Sequence, residues 1–190
     1  MKKNETIAII GLGYVGLPLA AEFAKHFKVI GFDINKRRIE DLKIGKDSTG
    51  ELSPSELNNV NNLFLTHSES FLLEAKIFIV TVPTPIDGVN KPDFTALKDA
   101  CKIIGKVLKK DSIVIFESTV YPGATNEICK PILEEISKLK VNVDFGIGYS
   151  PERINPGDKS RSIGDIVKVT SGSNKETANK VDSIYKKIIK

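Results

Sequence analysis

The chain has 190 residues, 41% of them hydrophobic, and 28 Lys and Arg against 24 Asp and Glu give a formal charge of +4. That length suits one domain with an ordinary core. The lysines are scattered (Lys36, Lys98, Lys109, Lys138, Lys180) rather than massed among aromatic residues, which argues against nucleic-acid binding. No apolar run is long enough to span a bilayer. Cys101 and Cys129 have neither metal-ligand spacing nor the density of a disulfide framework. They recur at helical spacing with Leu97, Ile104 and Leu108, and with Ile132, Leu133 and Ile136, the pattern of buried structural thiols.

In chain order, Met1 to Glu5 lead straight into an apolar run with no signal-peptide pattern, so a soluble cytoplasmic protein is expected. The run Ile7-Ala8-Ile9-Ile10 then meets Gly11-Leu12-Gly13-Tyr14-Val15-Gly16 and an amphipathic segment expected to be helical from about Tyr14 to His26. A second apolar run, Val29-Ile30-Gly31-Phe32, ends in Asp33, twenty-two positions after Gly11. Strand, glycine turn, helix and a spaced acid are the context that a dinucleotide-binding fingerprint requires. In it Gly11 permits the tight turn, Gly13 admits the pyrophosphate to the backbone, and Gly16 lets helix and strand pack closely. The helix N-terminus faces the phosphates, and Asp33 accepts from the adenosine ribose hydroxyls. Arg37 and Arg38, expected to be exposed at the start of a helix over Asn35 to Leu42, could hold a 2′-phosphate. Asp33 would repel that phosphate, so NAD is favoured over NADP.

Gly45 to Gly50 looks like a loop, and Ser53-Pro54-Ser55-Glu56 like a helix start. Leu63 to Thr66 is a third strand, with His67 in the loop after it. Ile77 to Val82 reads as a buried strand ended by Pro83-Thr84-Pro85, with a loop through Asp93 and a helix from about Phe94 to Lys109. Ser112 to Phe116 is the next strand, followed by Glu117 to Thr125 and a helix to about Lys138. Val143 to Tyr149 and Ile166 to Thr170 complete the expected strands, and Asn174 to Ile189 the helices. The alternation predicts an α/β fold, a doubly wound, mostly parallel sheet whose strand C-termini form the ligand edge.

Gly11-Leu12-Gly13-Tyr14-Val15-Gly16, Val82-Pro83-Thr84-Pro85, Ser118 to Thr125 (STVYPGAT) and Ser150-Pro151-Glu152-Arg153 resemble, in order and over essentially the whole chain, the UDP-glucose/GDP-mannose dehydrogenase family. Lys91-Pro92-Asp93 and the run Pro151 to Asp158 (PERINPGD) are most similar to its UDP-N-acetylhexosamine branch, with UDP-glucose 6-dehydrogenase as the alternative. The resemblance implies a Rossmann-type NAD-binding domain over residues 1–190 and a reaction in which NAD oxidises the C6 alcohol of a nucleotide sugar twice, to a uronate. It implies that Gly11, Gly13, Tyr14, Val15 and Gly16 form the cofactor turn, and that Asp33 and Arg38 contact the adenosine end. Thr84 would line the cleft. Thr119 would position the reacting oxygen or a water beside the cofactor, and Glu152 would act as an acid/base or water-orienting carboxylate. Each has a plainer reading beside it: Thr84 and Thr119 as turn or helix caps, Glu152 as a surface carboxylate paired with Arg153.

The family completes its site with a cysteine in a Gly-rich loop and with residues of a central helix and a second domain. Neither Cys101 nor Cys129 matches that loop. The chain is therefore expected to be the N-terminal part of a longer enzyme, binding NAD with little or no turnover. The UDP-sugar and subunit pairing would belong to the full-length protein, generally a homo-oligomer through the central helix, leaving this part monomeric. No metal is expected. Two other readings stay open: a stand-alone NAD-binding module, and a 3-hydroxy acid or 6-phosphogluconate type of oxidoreductase, which shares the fingerprint but lacks the proline-rich loop and the Ser-Pro-Glu-Arg block.

Overall fold

A computed structural model describes residues 5–86, 88, 91–153 and 163–189. Six parallel strands form the sheet: β1 (Ile7–Ile10), β2 (Val29–Phe32), β3 (Leu63–Thr66), β4 (Ile77–Val80), β5 (Ile113–Phe116) and β6 (Gly146–Tyr149). A short antiparallel β7 (Ser171–Gly172) closes the order β3-β2-β1-β4-β5-β6-β7. Ile10 is in register with Phe32 on one side and Val80 on the other, so the glycine turn leaves the sheet at its middle. From β1 the chain winds outward to β2 and β3, then returns past β1 to begin the other half at β4. This reversal opens a crevice beyond the strand C-termini.

Alternate side chains of these strands feed two cores, as their continuous apolar character requires. Ile7, Ile9, Val29, Ile77, Ile79, Ile113 and Ile115 face α1 (Gly16–Ala24), α2 (Lys36–Lys43) and α6 (Lys175–Tyr185). Ala8, Ile10, Ile30, Phe32, Phe78, Val80, Val114 and Phe116 face α4 (Thr95–Val107) and α5 (Lys130–Ser137). The short α3 (Pro54–Asn58) begins with the expected capping box: the Ser53 hydroxyl accepts from Glu56 N at 3.2 Å, and the Glu56 carboxylate accepts from Ser53 N at 2.7 Å. A π-helical turn over Thr125–Cys129 leads into α5. Cys101 and Cys129 are both buried, and their contact together with burial pushes the Cys101 thiol well up, as structural thiols require.

Several boundaries differ from expectation. Helix α1 begins at Gly16 rather than Tyr14, and His26 lies in the turn after it. Strand β6 starts at Gly146 because Asn142 adopts a left-handed φ of 66° and the Asp144 carboxylate accepts from Lys140 N at 2.9 Å, closing a turn there. The expected strand over Ile166 to Thr170 is not a strand; the pairing falls at Ser171–Gly172. In that run Val167 and Val169 are exposed while Lys168 turns inward to Glu117, so the apolar side chains face away from the core. Of the PERINPGD run only Pro151, Glu152 and Arg153 lie within the described residues.

Candidate functional site at the glycine turn

The three glycines of the turn have three different environments. Gly11 holds φ at +95°, a left-handed conformation that L side chains rarely adopt. A Cβ at Gly16 would lie 1.9 Å from the Gly11 carbonyl oxygen and 2.4 Å from the Thr81 hydroxyl, so helix and strand meet there without room for a methyl group. At Gly13 nothing lies within 4 Å of that position, leaving the backbone open to a ligand. The turn thus has the cradle a dinucleotide pyrophosphate needs, at the N-terminus of α1. Val15 is buried beneath it, and Tyr14 is 46% exposed beside the open face.

The turn is braced from three directions. Asp33, at the end of β2, accepts from Leu12 N through Oδ2 and from Asn35 N through Oδ1, both at 2.9 Å. These bonds orient the carboxylate at the crevice, with acceptor capacity left for ribose hydroxyls. From β4, the Thr81 hydroxyl donates to the carbonyls of Gly11 at 2.7 Å and Ile10 at 3.1 Å. From α2, Arg38 donates through Nε to the Leu12 carbonyl at 3.0 Å.

Arg38 corrects its sequence reading. Arg37 is exposed, but Arg38 is buried, and its guanidinium meets Asp47 at 2.7 Å and Ser48 at 3.0 Å. Burial works to raise the Asp47 pKa, yet hydrogen bonds from the Thr49 hydroxyl, the Leu52 and Thr49 amides and Arg38 outweigh it and hold the carboxyl below its ordinary 3.8. The polar segment that looked like a loop is therefore a folded acceptor for the buried arginine. Its signal, Asp47 followed by Ser48 and Thr49, is local; its partner nine positions earlier is not.

On the other side of the crevice, the loops after β4 and β5 are laced together. Thr84 donates through its hydroxyl to the Thr119 carbonyl at 2.5 Å, and the Ser118 hydroxyl donates to the Val82 carbonyl at 2.6 Å. Phe94 and Tyr121 pack edge to face at 5.7 Å, holding the later part of that loop against the start of α4. The structure thus brings Thr84 and Thr119 together and leaves Thr119 exposed. The tie through Thr84 also fits the turn-capping reading. Glu152 follows β6 on the next strand end, half-buried, with Oε1 accepting from Arg153 N at 2.6 Å. Beneath these loops lies a cluster that sequence reasoning did not anticipate: Glu117, Lys168 and Tyr185, all inside the protein. Burial pushes the Glu117 carboxyl up, against the opposing pull of Lys168 and the Tyr185 hydroxyl, and the nearby Glu152 adds to the rise. Among the described residues no group of His, Cys, Asp and Glu could hold a metal ion, and no helix is long and apolar enough to cross a membrane.

A sheet that reverses at β1, a glycine turn aimed at the reversal and an acid at the end of β2 define a dinucleotide-binding domain of the dehydrogenase type. Residues 5–189 match the UDP-glucose/GDP-mannose dehydrogenase family, NAD binding domain, and the chain belongs to that family; its cofactor is NAD. Over 187 residues it is 56% identical to the UDP-N-acetyl-D-glucosamine 6-dehydrogenase of Pseudomonas aeruginosa, covering 98% of this chain and 44% of that protein. A Salmonella typhi protein of the same description is 50% identical over 96% of this chain and 43% of its own length. Among solved structures, an NDP-N-acetyl-D-galactosaminuronic acid dehydrogenase from Methanosarcina mazei Go1 superposes with a TM-score of 0.91 at 29% identity, covering 100% of this chain and 43% of that one. The chain thus spans less than half the length of these relatives.

Proposed function

We propose that these residues form the N-terminal, NAD-binding domain of a longer cytoplasmic enzyme that oxidises the C6 alcohol of a UDP-N-acetylhexosamine to the uronate in two NAD-dependent steps, for surface polysaccharide precursors. The observation that carries this reading is the 56% identity, across 98% of the chain, to a UDP-N-acetyl-D-glucosamine 6-dehydrogenase. Bound NAD supplies the hydride acceptor. The chain's own residues bind and orient it: the open backbone at Gly13 takes the pyrophosphate, and Asp33 takes the adenosine ribose. Arg38 supports that end by holding the Leu12 carbonyl. Thr84 and Thr119 line the crevice, with Thr119 directing the reacting oxygen or a water. Glu152 serves as acid/base or water-orienting carboxylate. The cysteine nucleophile and the homo-oligomer contacts come from sequence beyond this domain, so the 190 residues alone bind NAD and do not turn over.

The test is paired. The full-length protein, given NAD and UDP-N-acetylglucosamine, its manno and galacto epimers or UDP-glucose, should release two NADH per sugar oxidised, with an N-acetylhexosamine preferred. The 190-residue chain should bind NAD and release none. Preference for UDP-glucose would move the protein to the other branch, and turnover of UDP-N-acetylgalactosamine by the chain alone at an enzyme's rate would overturn the domain assignment.

A further inference from the structure

We propose that Lys168 is a positioning residue: with Glu117 and Tyr185 it forms a buried clamp that fixes the backbone carrying Glu152 against the strand end carrying Thr119. The inference rests on the functional reading above for the roles of Thr119 and Glu152. Lys168 Nζ pairs with Glu117 Oε2 and lies 3.5 Å from the Pro151 carbonyl, immediately before Glu152. Glu117, two residues before Thr119, accepts the Tyr185 hydroxyl proton in a hydrogen bond to its other oxygen. The ammonium also sits 5.5 Å from the centre of the Tyr185 ring, a cation–π distance. The same two strand ends are tied again where Ser150 N donates to the Phe116 carbonyl at 3.0 Å.

Stability alone does not explain this choice of residues. The side chains of Lys168 and Glu117 are 4% and 0% exposed, and an ion pair buried so deeply is often no more stabilising than apolar residues of the same volume. The local sequence makes the same point. Ile166-Val167-Lys168-Val169-Thr170 is a strand pattern that would bury its valines, yet Val167 is 86% and Val169 56% exposed while the lysine points in. What the ion pair supplies is one geometry. A carboxylate with two acceptors and an ammonium over a ring allow a single arrangement of three elements: the end of β5, the segment after β6, and α6. Glu152 lies near enough to Glu117 for their charges to interact, and the ammonium paired with Glu117 offsets that repulsion.

The test uses the full-length protein and the double variant Glu117→Gln with Lys168→Met, which removes both charges together and leaves no unpaired ion. It should melt within a few degrees of wild type and bind NAD within about twofold. Its kcat on UDP-N-acetylglucosamine should fall at least tenfold, and the Ser150 and Arg153 amides should exchange hydrogen faster. A double variant that folds and keeps kcat within twofold would show the cluster to be structural only and overturn the proposal. If the double variant fails to fold, Tyr185→Phe, which removes a single hydroxyl, carries the test: a threefold or larger loss of kcat at unchanged NAD affinity supports the clamp, and an unchanged kcat sinks it. If wild type oxidises no UDP-sugar, the functional reading fails by itself. The clamp is then judged on amide exchange in the folded variant, where unchanged protection at Ser150 and Arg153 overturns it.

Discussion

Adding one methyl group at Gly16 or at Gly13 should separate the two jobs of the glycine turn. In Gly16→Ala the new Cβ would stand 1.9 Å from the Gly11 carbonyl oxygen, about 1.1 Å inside the 3.0 Å limit that real Cβ atoms respect. The obstacle is backbone, so rotating a side chain cannot relieve it, and Thr81 closes the other side at 2.4 Å. Helix α1 must move away from β1, a strain at the upper end of overpacking costs, about 3 kcal/mol. For a domain of this size that lowers Tm by roughly 6–12 °C. Moving the helix N-terminus also misplaces an amide aimed at the pyrophosphate, and losing one hydrogen bond to a charged group weakens NAD binding by about 10–100-fold. In Gly13→Ala the Cβ meets nothing within 4 Å, so stability should hold within about 0.5 kcal/mol while NAD binding falls by a similar factor. Thermal melting and calorimetric titration of NAD measure both. A Gly16→Ala chain that melts and binds like wild type would refute the close-packing argument; a Gly13→Ala chain with full NAD affinity would refute the reading of the open cradle.

Replacing Asp33 by Ala removes the ribose acceptor and the charge that repels a 2′-phosphate, so NAD affinity should fall about 10–100-fold and the preference for NAD over NADP should narrow, as read by parallel titrations. Thr81→Val removes the hydroxyl beneath two carbonyls at nearly constant volume. It should cost about 1–3 kcal/mol in thermal or denaturant melts, and Thr81→Ser should recover most of it. The Asp47 carboxyl is held below its ordinary 3.8, so its contribution to stability is complete above that pH and lost as pH falls through the lowered value. Melts between about pH 5 and pH 2 should therefore show a loss of stability that Asp47→Asn flattens, and an unaltered pH profile in that variant would refute the Arg38–Asp47 assignment.

Much of this site was legible because its signals are local. Gly11, Gly13 and Gly16 sit on one turn, and the apolar runs around them specify β1, β2 and β4 within a residue or two. Ser53 and Glu56 announced α3 by a cap that closes over three residues. Reading failed where a residue's partner is distant in sequence. Arg38 follows a helix cap among other basic residues and looks solvated; only the fold brings Asp47 and the Leu12 carbonyl to it. Lys168 sits in a run whose alternation matches a strand, and the pull that turns it inward comes from Glu117, fifty-one positions earlier. Asp144 stops β6 from starting at Val143 through a turn that periodicity does not register.

The unread partners at the cleft, Arg38 and Lys168, share one property: they brace it rather than enter it. Leu12 shows how far this goes. Its amide donates to Asp33 and its carbonyl accepts from Arg38, so the residue between the first two glycines is held at both ends by β2 and α2. Thr81, just after β4, fixes the preceding carbonyl, that of Gly11. A turn built for conformational freedom at Gly11 and for an empty flank at Gly13 has few side chains of its own to hold it. Neighbouring elements must supply the rigidity that cofactor binding needs, because an amide that wanders before NAD arrives loses binding energy to ordering it. The fingerprint therefore states where a dinucleotide goes. How tightly it is held depends also on Arg38 and Thr81, whose spacing no short motif records.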